Sequence, residues 1–113
     1  TRQGAVSYRV AFSPEAEEQL AALYSYIAAA ASPEIAARYT EAIVTYCEGL
    51  RAFPHRGTRR DDVRPGLRII NYRKRAVIAF FVDAEQVSII GVFYGGQDYE
   101  TILDEDFGDD LEH

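Results

Sequence analysis

The sequence predicts a two-layer α+β domain of order β-α-α-β-β-β, an N-terminal strand and an antiparallel helical hairpin packed on an antiparallel sheet, followed by a short helix or tail. Three observations carry this. A short alternating run opens the chain, two helix-start signatures follow close together, and three β-rich runs joined by brief turns come last.

The opening run is VSYRVAF (6–12), alternating about Tyr8, Val10 and Phe12 as a half-buried strand does. Ser13-Pro14-Glu15 then offers a capping hydroxyl, a proline suited to the first helical position and an acid in the first turn. Ala16, Leu20, Leu23 and Ile27 recur at helical spacing, so residues 14 to about 31 form an amphipathic helix. Ser32-Pro33-Glu34 repeats the start signal, and two starts this close imply a helical hairpin. Ile35, Tyr39, Ile43, Tyr46, Leu50 and Phe53 are the expected apolar face of the second helix, which Pro54 ends by pushing Phe53 out of the α region. The strand runs are LRIINY (67–72), AVIAFFV (76–82) and VSIIGVFY (87–94), linked by Arg73-Lys74-Arg75 and by Asp83-Ala84-Glu85-Gln86. The middle run is apolar at nearly every position and belongs at the centre of the sheet. Asp98 is a candidate cap for a short terminal helix. Neither helix can bury its stripe alone, and stacking both on one face of the sheet resolves that.

The chain of 113 residues suits a single domain spanning 1–113, long enough for a core without staples. No apolar run approaches the roughly 20 residues of a membrane helix, and no secretory signal opens the chain. The lone Cys47 leaves no internal disulfide, so a reducing, cytoplasmic location is expected. Leu111-Glu112-His113 looks like the start of a histidine-tag linker.

Charge is unevenly placed. The net charge is -6, yet residues 51–75 hold nine of the twelve cations against only Asp61 and Asp62, a local excess of +7. Residues 98–113 hold eight acids and no base. The local fields are therefore large and opposite, which points to recognition by a basic surface or to internal balancing by the acidic tail. Within the basic segment, Arg59 and Arg60 beside Asp61 and Asp62 read as local ion pairs, and Pro65-Gly66 reads as a tight turn entering a strand.

The order of elements, together with FPHRGTRRDDVRPGLR (53–68), VIAFFV (77–82), VSIIGV (87–92) and YGGQDY (94–99), resembles the RelE/ParE superfamily of bacterial type II toxins across residues 8–106. The two branches imply different chemistry. Members of the RelE branch cleave messenger RNA on the ribosome, which needs a base, an acid and cations about the scissile phosphate. Many carry His at the position of Tyr94 and basic residues at those of Gly96 and Gln97. Glycine and glutamine supply neither a proton carrier nor a cation, and a tyrosine phenol with a pKa of about 10 needs strong help to act as an acid. The chain is also acidic beyond Gln97. These departures favour the ParE branch, whose members poison DNA gyrase by binding it.

The resemblance implies a toxin without catalytic residues, cofactor or metal. It also implies a ParD-like antitoxin in a hetero-oligomer, DNA gyrase as target, operator DNA reached only through the antitoxin, and no membrane. Arg56, Arg64, Arg68, Arg73, Lys74 and Tyr94 are the expected contacts to target or antitoxin. Arg68 is placed on a strand, and arginine makes two-point contacts to carboxylate or phosphate. The alternatives are a ribosome-dependent messenger-RNA endonuclease and a non-toxic binding module. His55 has no matching Ser or Cys partner, Cys47 reads as packed, most of the tyrosines read as half-buried with hydroxyls reaching water, and Tyr24, Tyr39 and Tyr46 read as helix packing. The acidic tail lacks calcium-loop spacing and reads as disordered.

Overall fold

The computed structural model describes residues 8–73 and 76–95. Strand β1 (Arg9–Phe12) leads into helix α1 (Pro14–Ala30) and helix α2 (Pro33–Glu48); strands β2 (Thr58–Arg59), β3 (Arg68–Tyr72), β4 (Ala76–Val82) and β5 (Gln86–Tyr94) follow. Both helices start where the capping signals place them. The Ser13 hydroxyl accepts the Ala16 N–H at 3.0 Å and the Ser32 hydroxyl accepts the Ile35 N–H at 3.1 Å, each with proline in the first turn.

The sheet order is β1-β5-β4-β3-β2, with β4 central as its composition requires. The meander β3-β4-β5 is antiparallel, and β1 joins β5 in parallel, making the sheet mixed. A parallel edge follows from connectivity: the helical hairpin is the crossover that carries the chain from β1 to the far strands. The two-residue strand β2 is not legible in the sequence, because it lies inside the arginine-rich stretch and has no apolar alternation to reveal it.

The second helix ends earlier than its proline suggests. It gives way to a 3₁₀ turn at Gly49–Arg51, and Phe53 and Ile35 are 65% and 46% exposed. Its buried stripe is instead Ala36, Ile43 and Cys47, with Leu50 buried in the turn. Small residues permit close approach of α2 to α1, and the rotation leaves Ile35 outside. Among the described residues no helix is long and apolar enough to cross a membrane.

A bulge organises β5. Ala79 pairs with Gly91 and Phe80 with Ile89, so Ile90 is an extra residue. Strand alternation would send residues 87, 89, 91 and 93 to one face. The insertion reverses the pattern halfway, so Val87 and Ile89 and then Val92 and Tyr94 all join the helix-side core. Ile90 and Phe93 turn to the opposite face with Leu67, Ile69, Val77, Ala79 and Phe81. β1 ends at Phe12 opposite Ile89, where the Ser13 N–H donates to the Ile89 carbonyl at 2.8 Å. Beyond that point the edge of β5 meets α1, and the Gln19 Oε1 accepts the Val92 N–H at 2.7 Å.

Replacing Gln19 by Leu should leave the Val92 N–H without its acceptor and cost about 1–3 kcal/mol of stability in urea unfolding. Gln19→Glu keeps an acceptor at neutral pH and should cost less than half of that.

Candidate binding surface

The stretch 60–67 is a closed, hydrogen-bonded turn. The Arg60 N–H donates to the Leu67 carbonyl at 2.8 Å, the Leu67 N–H donates to the Arg64 carbonyl at 3.0 Å, and Gly66 takes φ 84°. Asp61 closes it from outside, accepting the Gly66 N–H at 2.7 Å and pairing with Arg59 at 3.2 Å. Asp62 pairs with Arg60 at 2.7 Å. The Gly66 N–H, and after it Arg59, hold the Asp61 carboxyl below the usual carboxylate range, and the Arg60 guanidinium does the same for Asp62. Arg59 and Arg60 are thus engaged locally, as their neighbours in the sequence imply.

The other arginines divide among three places. Arg68 is half-buried, and its Nη1 donates to the carbonyls of His55 and Arg56 at 3.0 and 3.4 Å. It ties down the segment that follows α2. Arg64 lies on the sheet face away from the helices, its guanidinium 5.4 Å from the centre of the Phe81 ring. Arg56 lies 5.8 Å over Tyr46, and Arg73 lies 5.3 Å over Tyr72. Lys74 lies outside the described residues.

Arg56 and Arg73 bracket one end of a chain of tyrosines. Tyr46 meets Tyr72 at 5.0 Å between ring centres, Tyr72 meets Tyr39 at 6.2 Å, Tyr39 meets Tyr94 at 5.7 Å, and Tyr94 meets Tyr26 at 6.4 Å. The residues come from both helices and from the ends of β3 and β5. Tyr72 is buried, Tyr39, Tyr46 and Tyr94 are half-buried, and Tyr26 is 64% exposed. The rings meet tilted or edge to face, the arrangement their quadrupoles favour. The structure therefore links Arg56, Arg73 and Tyr94 through one chain of ring contacts, places Arg68 behind it as a positioning residue, and puts Arg64 on the other face of the sheet.

Two backbone features shape this end. Arg73 adopts φ 53°, an uncommon conformation for a side-chain-bearing residue, and so turns the β3–β4 connection. Gly57 adopts φ 82°, and a Cβ there would collide with the Ile69 carbonyl. That close approach bends the chain away from β3 and places Arg56 over Tyr46.

Tyr26, Tyr39, Tyr46 and Tyr72 were not singled out from sequence as binding residues. The available signal was the seven-residue spacing of Tyr39 and Tyr46 on one helix, together with tyrosines at the ends of two strands. His55 is exposed and stands edge-on to Tyr8 at 6.4 Å. Burial pushes the Cys47 thiol up to about 12, which keeps it protonated at neutral pH. Among the described residues no group of His, Cys, Asp and Glu is placed to hold a metal. On the solvent side of the hairpin, Leu20, Ala21, Tyr24, Thr40, Glu41, Val44 and Thr45 line an open groove of about 520 Å³ between the helices.

Residues 10–99 match the family of the ParE toxin of the type II toxin–antitoxin system parDE. The chain belongs to this family. It is a toxin of a ParDE-type system, and proteins of this family are non-catalytic. No curated protein sequence matches it. Among the solved structures that share its fold are two from toxin–antitoxin systems. One, a chromosomal ParDE toxin–antitoxin system from P. aeruginosa, has a TM-score of 0.69 at 20% identity and covers 79% of this chain and 97% of that one. The other, the toxin–antitoxin complex RelBE2 from Mycobacterium tuberculosis, has a TM-score of 0.57 at 24% identity and covers 85% of this chain and all of that one.

Two outcomes follow for this ParE-family chain. Arg68→Ala should lower stability by about 1–2 kcal/mol, because two carbonyls lose a charged donor, whereas Arg64→Ala should cost no more than about 1 kcal/mol; urea titration compares them. Because the Asp61 carboxyl is held low in the folded state, its contribution is present above the ordinary carboxylate pKa of about 4 and is lost as pH falls through the lowered value. The Gly66 amide should therefore lose protection relative to its intrinsic exchange rate on acidification, and Asp61→Asn should abolish that pH-dependent loss.

Proposed function

We propose that this toxin acts by binding DNA gyrase and holding it on cleaved DNA, and that a ParD-like antitoxin neutralises it. The family match over residues 10–99 carries this reading. The surface chemistry supports it: Arg56 and Arg73 over tyrosine rings, with Tyr94 in the same chain, make an interface of the residue types that dominate binding hot spots. Arg64 over Phe81 offers a second contact on the opposite face. The toxin works in the cytoplasm, where its target is, and needs no cofactor.

The antitoxin is the tightest partner. The groove lined by Leu20, Tyr24 and Val44 suits the apolar face of an amphipathic helix, and the sheet suits an extended segment. Toxin and antitoxin together repress their own operon, with DNA contacted by the antitoxin.

The test pairs two assays on the purified toxin: gyrase with relaxed plasmid, and translating ribosomes with message. Linearised plasmid with intact message is the expected result. Cleaved message with unaffected gyrase would replace this reading with a ribosome-dependent endonuclease, and normal growth on expression without a partner would point to a non-toxic binding module. In the plasmid assay, Arg56→Ala and Arg73→Ala should each weaken poisoning by about fivefold or more, the size of an interface anchor, with unchanged thermal melting.

A further inference from the structure

We infer that the C-terminal segment 96–110 folds back as a strap over the sheet face away from the helices, with Ile102 and Leu103 seated against Phe93 and the acids that follow beside Arg64. The inference does not depend on which target the toxin binds.

The face needs a cover. Leu67, Ala79 and Phe93 form a second apolar cluster there, flanked by Val63, Ile69, Val77, Phe81 and Ile90, and no member of it comes from a helix. The turn at 60–67 roofs one end, where Val63 joins the cluster and Arg64 lies over Phe81. Phe93 stands at the other end. It pairs with Val77, and the run along β4 from Val77 to Phe81 is roughly 13 Å at the rise of a strand. The Phe93 ring lies back along its own strand, since a Cβ on Gly91 would stand 2.5 Å from it. On an open sheet face a ring lying this way keeps one side in water. Phe93 is only 2% exposed. Its roof therefore comes from beyond the described residues.

The course of the chain selects the segment. Residues 1–7 enter at Arg9, which pairs with Gln86 at the opposite end of β5. Lys74 and Arg75, on the β3–β4 connection, are both cations and offer no apolar group to match the cluster. The C-terminal segment leaves from the right place. β5 ends at Tyr94, next to Phe93, and Gly95 turns the chain with φ 74°. Residues 96–110 span up to about 50 Å when extended, enough to cross the face. Their composition fits it in order. Ile102 and Leu103 suit the Phe93 end, and Asp104, Glu105 and Asp106 follow for the end that carries Arg64. Residues 98–113 hold eight acids and no base, the charge that complements a basic segment with a net +7. The strap stands between Arg64 and any partner on this face, so that contact becomes available only when the segment lifts.

The test follows cleavage of the intact toxin by glutamyl endopeptidase after Glu100 and Glu105, with rates taken relative to the free peptide 97–110, alongside nuclear Overhauser contacts of the Phe93 ring. In the wild type the ring should contact methyl groups of Ile102 or Leu103, and cleavage should be slower than in the peptide. Ile102→Ser combined with Leu103→Ser removes the apolar seat and should speed cleavage about tenfold or more. Arg64→Glu, and high salt on the wild type, should each speed it about twofold or more. The wild-type ring contacts stand as a readout even if the serine variant fails to fold. Wild-type cleavage as fast as that of the peptide, or no contact from Phe93 to residues 96–110, overturns the strap. Contacts from Phe93 to residues 1–7, or to a second copy in an isotope-mixed sample, overturn it in favour of those occupants. Cleavage indifferent to both Arg64→Glu and salt overturns the seating of the acids beside Arg64.

Discussion

The bulge at Ile90 is the constraint on which the rest of the molecule turns. A strand without it would present Val87 and Ile89 to the helices and then send Val92 and Tyr94 to the other side. The core would lose half of β5, and Tyr94 would leave the tyrosine chain. The insertion also needs support, because bulged main chain leaves ladder groups to be satisfied elsewhere. Here the Gln19 side chain meets the Val92 N–H, and the Ser13 main chain meets the Ile89 carbonyl. The same serine caps α1. Helix start, strand edge and binding surface are thus fixed by one small set of hydrogen bonds.

The crowding of arginines in an acidic chain resolves into separate physical roles. Arg59 and Arg60 balance the adjacent aspartates, and Arg68 holds the chain after α2 through main-chain carbonyls. Arg56, Arg64 and Arg73 lie over aromatic rings. An arginine stacked on a ring loses little entropy when it meets a partner, since its position is already restricted. Clustering in sequence therefore does not mean clustering in space. The charge run is one segment whose members serve turn closure, loop anchoring and surface display on two faces of the sheet.

Much of the fold was legible because local signals agreed with one another. Ser-Pro-Glu marked both helix starts, and the continuous apolar run at 76–82 marked the central strand. The illegible parts were those decided by distant contacts. The end of α2 depends on how Leu50 packs, which Pro54 does not report. Strand β2 exists only because β3 is there to pair with it. The bulge is hidden, since VSIIGVFY is apolar under either register. Of the candidate surface, Arg56 and Tyr94 could be named from the motifs and Arg73 from the basic run. The four further tyrosines could not, because spacing on a helix does not say which face meets a strand end.

Gly57 joins these levels. Its left-handed conformation and its close approach to the Ile69 carbonyl both forbid a side chain. A larger residue would force the chain away from β3 before Thr58, and the two-residue pairing with Ile69 and Arg68 would be lost. With it would go the placement of Arg56, whose carbonyl is also an acceptor for Arg68. The bend thus both makes β2 and keeps it short. A longer β2 would cover Asn71 and shut the edge; no β2 would leave the turn at 60–67 unanchored to the sheet. One residue without a side chain sets how much of the sheet edge is closed and how much stays available, and it does so beside the arginines that give that edge its charge.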